Sequence, residues 1–229
     1  MISKLPRWVE YGSFVLALIA GFINAIGLLG FNHQAVSHLS GTATIIGTGL
    51  IQADFAKVSH LLMVLFSFLV GAALSGFFLR SGALKLGRNY SRLLCLQAAL
   101  LLGAIYFFSK NVSYGLYLAT SACGLQNALV TTYSGAIIRT THITGIVTDL
   151  GIMIGARFRG EPFDQRKALL FLLIISGFIL GGSLGAYFYR FLEFKALFVP
   201  VILCLLLALL YSIYTEKIIL SRIFGARKG

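Results

Sequence analysis

Two stretches of this chain repeat one pattern, His38-Leu39-Ser40-Gly41-Thr42-Ala43-Thr44 and His142-Ile143-Thr144-Gly145-Ile146-Val147-Thr148. Both fit His-x-Ser/Thr-Gly-x-x-Thr-x-x-Gly, closing on Gly47 and Gly151. Each follows a matching apolar run, Gly21-Phe22-Ile23-Asn24-Ala25 before the first and Gly124-Leu125-Gln126-Asn127-Ala128 before the second. A third match pairs Gly71-Ala72-Ala73-Leu74, Phe78 and Arg80 with Gly181-Gly182-Ser183-Leu184, Phe188 and Arg190. The chain is therefore two copies of one unit, repeat 1 over about 8–109 and repeat 2 over about 113–216, in a single domain covering 1–229.

Composition decides the solvent of that domain. Hydrophobic residues make up 58% of the 229, and charged residues only 11%, against roughly 25% in soluble domains. One soluble core of this size could not hide so much apolar surface, so the fold expected is an all-α integral membrane protein. The net charge of +12 does not point to nucleic acid, because Lys and Arg fall in the gaps between apolar runs, as cytoplasmic loops require. Cys95, Cys123 and Cys204 lie within apolar runs and read as packing residues. The first apolar run holds Asn24 and outlasts a signal-peptide core, so it reads as an uncleaved helix.

Eight segments follow in order. In repeat 1 they are A (about 9–30), B (40–53), C (61–80) and D (93–108). In repeat 2 they are A′ (114–135), B′ (144–157), C′ (168–189) and D′ (197–214). A crossing needs about 20 apolar residues, and B and B′ fall short. If they only dip into the bilayer, the chain has six spans; if they cross, it has seven or eight. With six spans and cytoplasmic termini, only Lys57, Lys110, Arg190 and Lys195 of the 19 Lys and Arg lie outside, whereas eight spans would place seven there. The positive-inside rule favours six. Three spans per repeat turn the second repeat upside down relative to the first, the inverted arrangement of many secondary transporters.

B and B′ would then start near mid-bilayer and leave on opposite sides, with Ser40 and Thr144 as N-caps. Two helix starts facing each other favour an anion or carboxylate-like group. Gly41 and Gly145 allow close backbone approach, and Thr44 and Thr148 put hydroxyls one turn further on. Asn24 and Asn127, with the weaker candidate Gln126, complete the expected substrate site. His38 and His142 suit substrate contact, proton transfer or loop carbonyl bonding, and a metal is the least favoured of their roles. Asp149 stands where B has Ile45 and is the one acid within the intramembrane segments beyond Glu10 at the entry of A, so it is the expected coupling residue, alone or paired with Arg139. Each residue also has a plainer reading. Ser and Thr bond to their own helix, Asn bridges helices, and Gly21, Gly41, Gly71 and Gly76 permit close packing. Equal spacing in both halves is what favours a site.

The chain lacks phosphate-binding loops, dinucleotide fingerprints, zinc-protease motifs and nucleophile elbows, so no enzymatic activity and no cofactor is expected. Gly21-Phe-Ile-Asn-Ala, Val36-Ser-His-Leu-Ser-Gly-Thr-Ala-Thr, and Cys123-Gly-Leu-Gln-Asn-Ala with Arg139 and His142-Ile-Thr-Gly resemble the YoaK-like family of uncharacterised bacterial membrane proteins. That resemblance implies about six spans in the bacterial inner membrane and no established substrate. The expectation is a transporter, secondary and open to proton coupling, for a small polar or anionic solute. A channel of the same architecture and a non-transporting scaffold or sensor are the rivals. The partners expected are the lipid bilayer and the solute, not nucleic acid, with a homo-oligomer left open.

Overall fold

The computed structural model describes residues 8–30, 36–79, 89–134 and 138–225. The loop charges Lys4, Arg7, Arg80, Lys85, Arg88, Arg227 and Lys228, and the 31–35 part of the link between A and B, lie outside the described residues. Every helix of the described chain has a counterpart in the segments above. They are α1 (Trp8–Gly30), α2 (Leu39–Ile51), α3 (Phe55–Phe78), α4 (Asn89–Phe108), α5 (Tyr114–Ser134), α6 (Ile143–Phe158), α7 (Gln165–Leu192) and α8 (Phe198–Gly225), with a 3-10 turn at Glu193–Leu197 before α8.

Among the described residues, four stretches are long and apolar enough to cross a membrane: Val9–Gly30, Phe55–Phe78, Asn89–Phe108 and Gln165–Thr215. The last takes in both α7 and most of α8. The 21-residue α5 has comparable length, but Thr120, Ser121, Gln126, Asn127, Thr131, Thr132 and Ser134 dilute its apolar character. The 13 residues of α2 and 16 of α6 reach about 20 and 24 Å at 1.5 Å each, short of a hydrocarbon core of roughly 30 Å. Leu62, Phe66, Leu69, Phe77, Leu172, Ile179, Leu205 and Leu209 are all exposed. So many large apolar side chains on the outer surface suit lipid, not water. The chain is an all-α membrane protein.

The core is organised by two helix pairs, and each joins the halves. α1 packs chiefly on α7, and α3 on α5. In the first pair a Cβ at Gly21 would strike the Phe178 carbonyl, and one at Gly181 the Leu18 carbonyl. In the second pair a Cβ at Gly124 would strike the Phe68 carbonyl, and one at Gly71 the Ser121 carbonyl. These are the same positions in the two repeats: Gly21 corresponds to Gly124, Gly71 to Gly181, Phe68 to Phe178 and Leu18 to Ser121. Packing of small residues lets backbones touch where lipid offers no hydrophobic driving force between helices.

Helix directions follow from these and neighbouring contacts. Glu10 meets Arg166 at 2.7 Å at the starts of α1 and α7, while Phe22 backs Gly185 near their far ends, so the two run in the same sense. His60 meets Tyr117 at 2.7 Å and Ser121 donates to the Ser67 carbonyl at 2.8 Å, so α3 and α5 also run alike. Against them α4 is antiparallel to α5, with Gln97 on Gln126 at one end and Phe108 beside Gly115 at the other. It is antiparallel to α8 as well, with Ser91 on the Ala208 carbonyl at one end and Phe108 stacked on Phe194 at the other.

The two short helices, α2 and α6, are followed alike. Asp54 caps α3 by accepting from the Lys57 N–H at 3.1 Å, and Asp164 caps α7 by accepting from Lys167 at 3.0 Å. This Asp-x-x-Lys pair, offset by the same 110 residues as the glycines, extends the duplication to a feature that sequence reading passed over. The helices also start earlier than expected: α2 and α6 begin one residue before Ser40 and Thr144, α3 six before 61, and α4 four before 93. The three cysteines do not behave alike, since Cys123 and Cys204 are buried but Cys95 is exposed.

The glycine crossings yield the first prediction. Gly21→Val or Gly71→Val should destabilise the chain by at least about 1–3 kcal/mol, because the neighbour that must yield is backbone. Gly47→Ala and Gly151→Ala, with open space around them, should be neutral. Thermal unfolding of detergent-solubilised protein checks both, and equal effects in the two sets would sink the packing account.

Candidate functional site

The starts of α2 and α6 border the same space. A cavity of about 620 Å³ is lined by Ser37, His38, Leu39 and Ser40 from the first motif, and by Arg139, Thr141, His142 and Thr144 from the second. Phe68 and Ala72 of α3, with Gly124, Asn127, Ala128, Thr131 and Thr132 of α5, complete it. The volume suits a small solute. Its polar content is one guanidinium, two imidazoles, six hydroxyls and one amide, with no carboxylate among the lining residues. First-turn N–H groups of a helix lack intrahelical acceptors. The earliest such bonds here run from Thr42 N to His38 O and from Ile146 N to His142 O, leaving the N–H groups before them at the cavity. Cation, hydroxyl donors and two positive helix ends make the space attractive to an anion.

The caps differ from expectation. His38 and His142 are the N-cap residues, at φ −89°, ψ 65° and φ −91°, ψ 56°, with no side-chain capping bond. Ser40 and Thr144 sit two positions inside. Their carbonyls accept from the Thr44 and Thr148 hydroxyls at 3.0 and 2.9 Å, so those two threonines bond to their own helices and do not line the cavity. Gly41 and Gly145 also take a different role. Each has its own motif's imidazole folded over it, where a Cβ would strike the ring. The glycines make room for His38 and His142 to lie against the helix start.

Three further residues lie outside the lining. Gln126 is buried in a side-chain network, donating to the Leu16 carbonyl at 2.7 Å and to Thr140 at 3.3 Å, and accepting from Gln97 at 2.6 Å. It ties α1, α4 and α5 together. Asn24 accepts from Ser37, from the N–H at 3.0 Å and the hydroxyl at 3.1 Å. Asp149 is exposed on α6 and forms no ion pair with Arg139, because Arg139 belongs to the cavity wall and Asp149 lies further along the helix. The expected Asp149–Arg139 pairing is therefore absent. Of the expected site residues, the cavity gathers His38, Ser40, Asn127, Arg139, His142 and Thr144.

Sequence reading missed Ser37, Thr131, Thr132 and Thr141. Ser37 and Thr141 could have been found, since a hydroxyl residue precedes the motif histidine in both copies. Thr131 and Thr132 follow Asn127 by about one helical turn, but Leu28 and Leu29 occupy the matching places of repeat 1, so no duplication marked them. Asn127 carries one more signal: its Oδ1 is buried and has no hydrogen-bond partner among the described residues. A buried polar atom left so costs about 1–3 kcal/mol; His60 Nε2, Ser75 Oγ, Gln97 Oε1 and Thr120 Oγ1 share that state elsewhere, and Asn127 differs from these in bordering the cavity.

A duplicated helical membrane protein with a polar cavity between its two short helices is thus the class defined. A family model described as "Protein of unknown function (DUF1275)" matches residues 12–210, and the chain belongs to that family. No curated protein and no solved structure matches it.

Gln126 supplies the second prediction. Gln126→Leu removes three hydrogen bonds and strands Gln97, Thr140 and the Leu16 carbonyl, so stability should fall by about 1–3 kcal/mol. Asn127→Leu removes no bonded side chain and should cost less. Unchanged melting of Gln126→Leu would show that its amide holds something other than this network.

Proposed function

We propose that this protein carries a small anion or strongly polar solute across a membrane, binding it between the starts of α2 and α6. The observation that carries this reading is the composition of one cavity. Arg139, His38 and His142 supply cationic or donor groups, Ser37, Ser40, Thr131, Thr132, Thr141 and Thr144 supply hydroxyls, and no carboxylate opposes them. A scaffold would have its polar residues satisfied by one another with no space between the short helices, and the cavity speaks against that.

In this reading the two repeats are inverted. Support comes from the helix directions. α1 runs with α7 and α3 with α5, while α4 opposes both α5 and α8. If α7 returns against α5, as the intervening re-entrant α6 implies, the first helix of repeat 2 opposes the first helix of repeat 1. Six spans, with α2 and α6 dipping in from opposite faces, then follow. The arginine-rich end, with Arg92, Arg157 and Arg159, is cytoplasmic by the positive-inside rule, as are both termini, and the membrane is the bacterial inner membrane that the YoaK-like resemblance implies. Proton coupling, in this reading, belongs to the imidazoles of His38 and His142 that border the solute, not to Asp149.

Transport is tested in proteoliposomes with a panel of small inorganic and carboxylate anions. The wild type should accumulate or exchange at least one of them. Arg139→Gln and the double variant Ser40→Ala, Thr144→Val should each lower uptake by about tenfold or more, the effect of losing a charged hydrogen bond of roughly 1.5–3 kcal/mol. Equal uptake by wild type and variants across the panel would remove this site assignment. Topology has its own check. A cysteine at Lys57 should react with an impermeant maleimide from outside and one at Arg92 only from the cytoplasm; the eight-span arrangement requires the reverse for both.

A further inference from the structure

The two repeats are not in the same state. In repeat 1, Asn24 Oδ1 accepts from both the N–H and the hydroxyl of Ser37 at 3.0 and 3.1 Å. That pair ties α1 to the chain just before α2. The matching residues of repeat 2 are Asn127 and Thr141, the latter directly before His142 as Ser37 is before His38. They form no such bond. Asn127 Oδ1 has no partner among the described residues, and the cavity lies against Asn127 and Thr141. The cavity is lopsided in the same way. It touches Phe68, Gly124 and Asn127 at the α3–α5 crossing, whereas Phe178, Gly21 and Asn24 at the α1–α7 crossing do not line it.

We infer that the Asn–Ser/Thr pair is a latch present in both repeats, closed in repeat 1 and open in repeat 2. The structure is then one of two related states. In the other, Thr141 closes on Asn127, Ser37 releases Asn24, and the space opens instead beside Gly21, Asn24 and Phe178. The same pair of helix starts serves both states, so this second half-site takes the same class of ligand, a small anion. This inference rests on the transport reading for its purpose, but not for its chemistry.

The two halves carry the means for this exchange. Both crossings share one pair of glycine-to-carbonyl contacts, and the α1–α7 crossing adds Gly177 on Phe14 and Gly185 on Phe22, where α3 has Ser67 and Ser75, so the half with the closed latch is also the more tightly crossed. A latch that closes gives the asparagine oxygen two donors, and a latch that opens leaves it without them. The two states thus trade like for like, and a two-state element with a small free-energy gap responds to a ligand that prefers one side. The exchange is not perfectly even, because Leu28 and Leu29 stand where Thr131 and Thr132 face the present cavity. The repeat 1 mouth is the more apolar of the two.

The test needs no identified solute. In a chain with Cys95, Cys123 and Cys204 replaced by Ala, the pair Asn127→Cys, Thr141→Cys is oxidised in liposomes with and without Asn24→Ala. Releasing the closed latch should speed formation of the 127–141 disulfide by about two- to tenfold, the range of a lost hydrogen bond. Labelling of a lone Thr132→Cys by an impermeant maleimide should slow by a similar factor in the Asn24→Ala background. Ser37→Ala, which keeps the N–H donor, should give smaller shifts in the same direction and guards against a folding defect in Asn24→Ala. Failure of the 127–141 pair to link in either background, or labelling of Thr132→Cys that ignores Asn24→Ala, overturns the latch. Latch exchange without uptake of any anion would instead defeat the transport reading and leave the device standing. Uptake with a static 127–141 pair would do the opposite.

Discussion

Everything in this molecule depends on two places where helix backbones touch. At Gly21 and Gly181, and again at Gly71 and Gly124, a missing side chain lets a neighbouring carbonyl come to within contact of the helix. Because these pairs join α1 to α7 and α3 to α5, neither repeat is a packing unit by itself. Each lends its first helix to the other's third. Lipid tails are as apolar as leucine, so the halves gain little from hydrophobic burial, and close contact of small residues takes its place. The same exchange puts the two short helices where their starts converge.

In the six-span reading the starts of the short helices lie within the bilayer, where backbone polar groups need a partner or water. α2 and α6 meet that need partly through their own side chains: Thr44, Thr48 and Thr148 bond back to carbonyls within their helices. Their first-turn N–H groups have no such recourse. They open on the cavity instead. The histidine at each N-cap makes no capping bond and folds over the following glycine, which keeps the helix start accessible. An ordinary Ser cap would have closed it. The departure from the usual cap chemistry thus leaves the helix starts facing the cavity.

The duplicated motif made most of this legible. Equal spacing of His and Ser/Thr in the two halves picked out His38, Ser40, His142 and Thr144, and the matching apolar runs before them added Asn127, five of the residues that line the cavity. The same method failed where the halves differ or where one residue of rotation matters. Gln126 adjoins Asn127 in sequence but points about 100° away around the helix, into the contact of α1, α4 and α5, not the cavity. Thr131 and Thr132 carry no mark of duplication because leucines replace them in repeat 1. Asp149 stood out as an acid in an apolar run, yet exposure on α6 separates it from Arg139. Cap position was misjudged because Ser and Thr lead N-cap preferences, and the backbone at His38 and His142 overrides that statistic.

A difference between equivalent residues is more informative than their likeness. Where both repeats share a feature, such as the Asp54 and Asp164 caps, either folding or function could have kept it. Where sequence is shared and geometry is not, folding has no reason to choose. Asn24 and Asn127 stand at matching places on α1 and α5, one between Ile23 and Ala25 and the other between Gln126 and Ala128, yet one oxygen accepts two bonds and the other has no partner among the described residues. A static protein built from two copies would be expected to satisfy both, since leaving one buried acceptor unpaired costs stability with no return in packing. On the latch reading, the unpaired Asn127 Oδ1 beside the polar cavity marks the half whose latch is open.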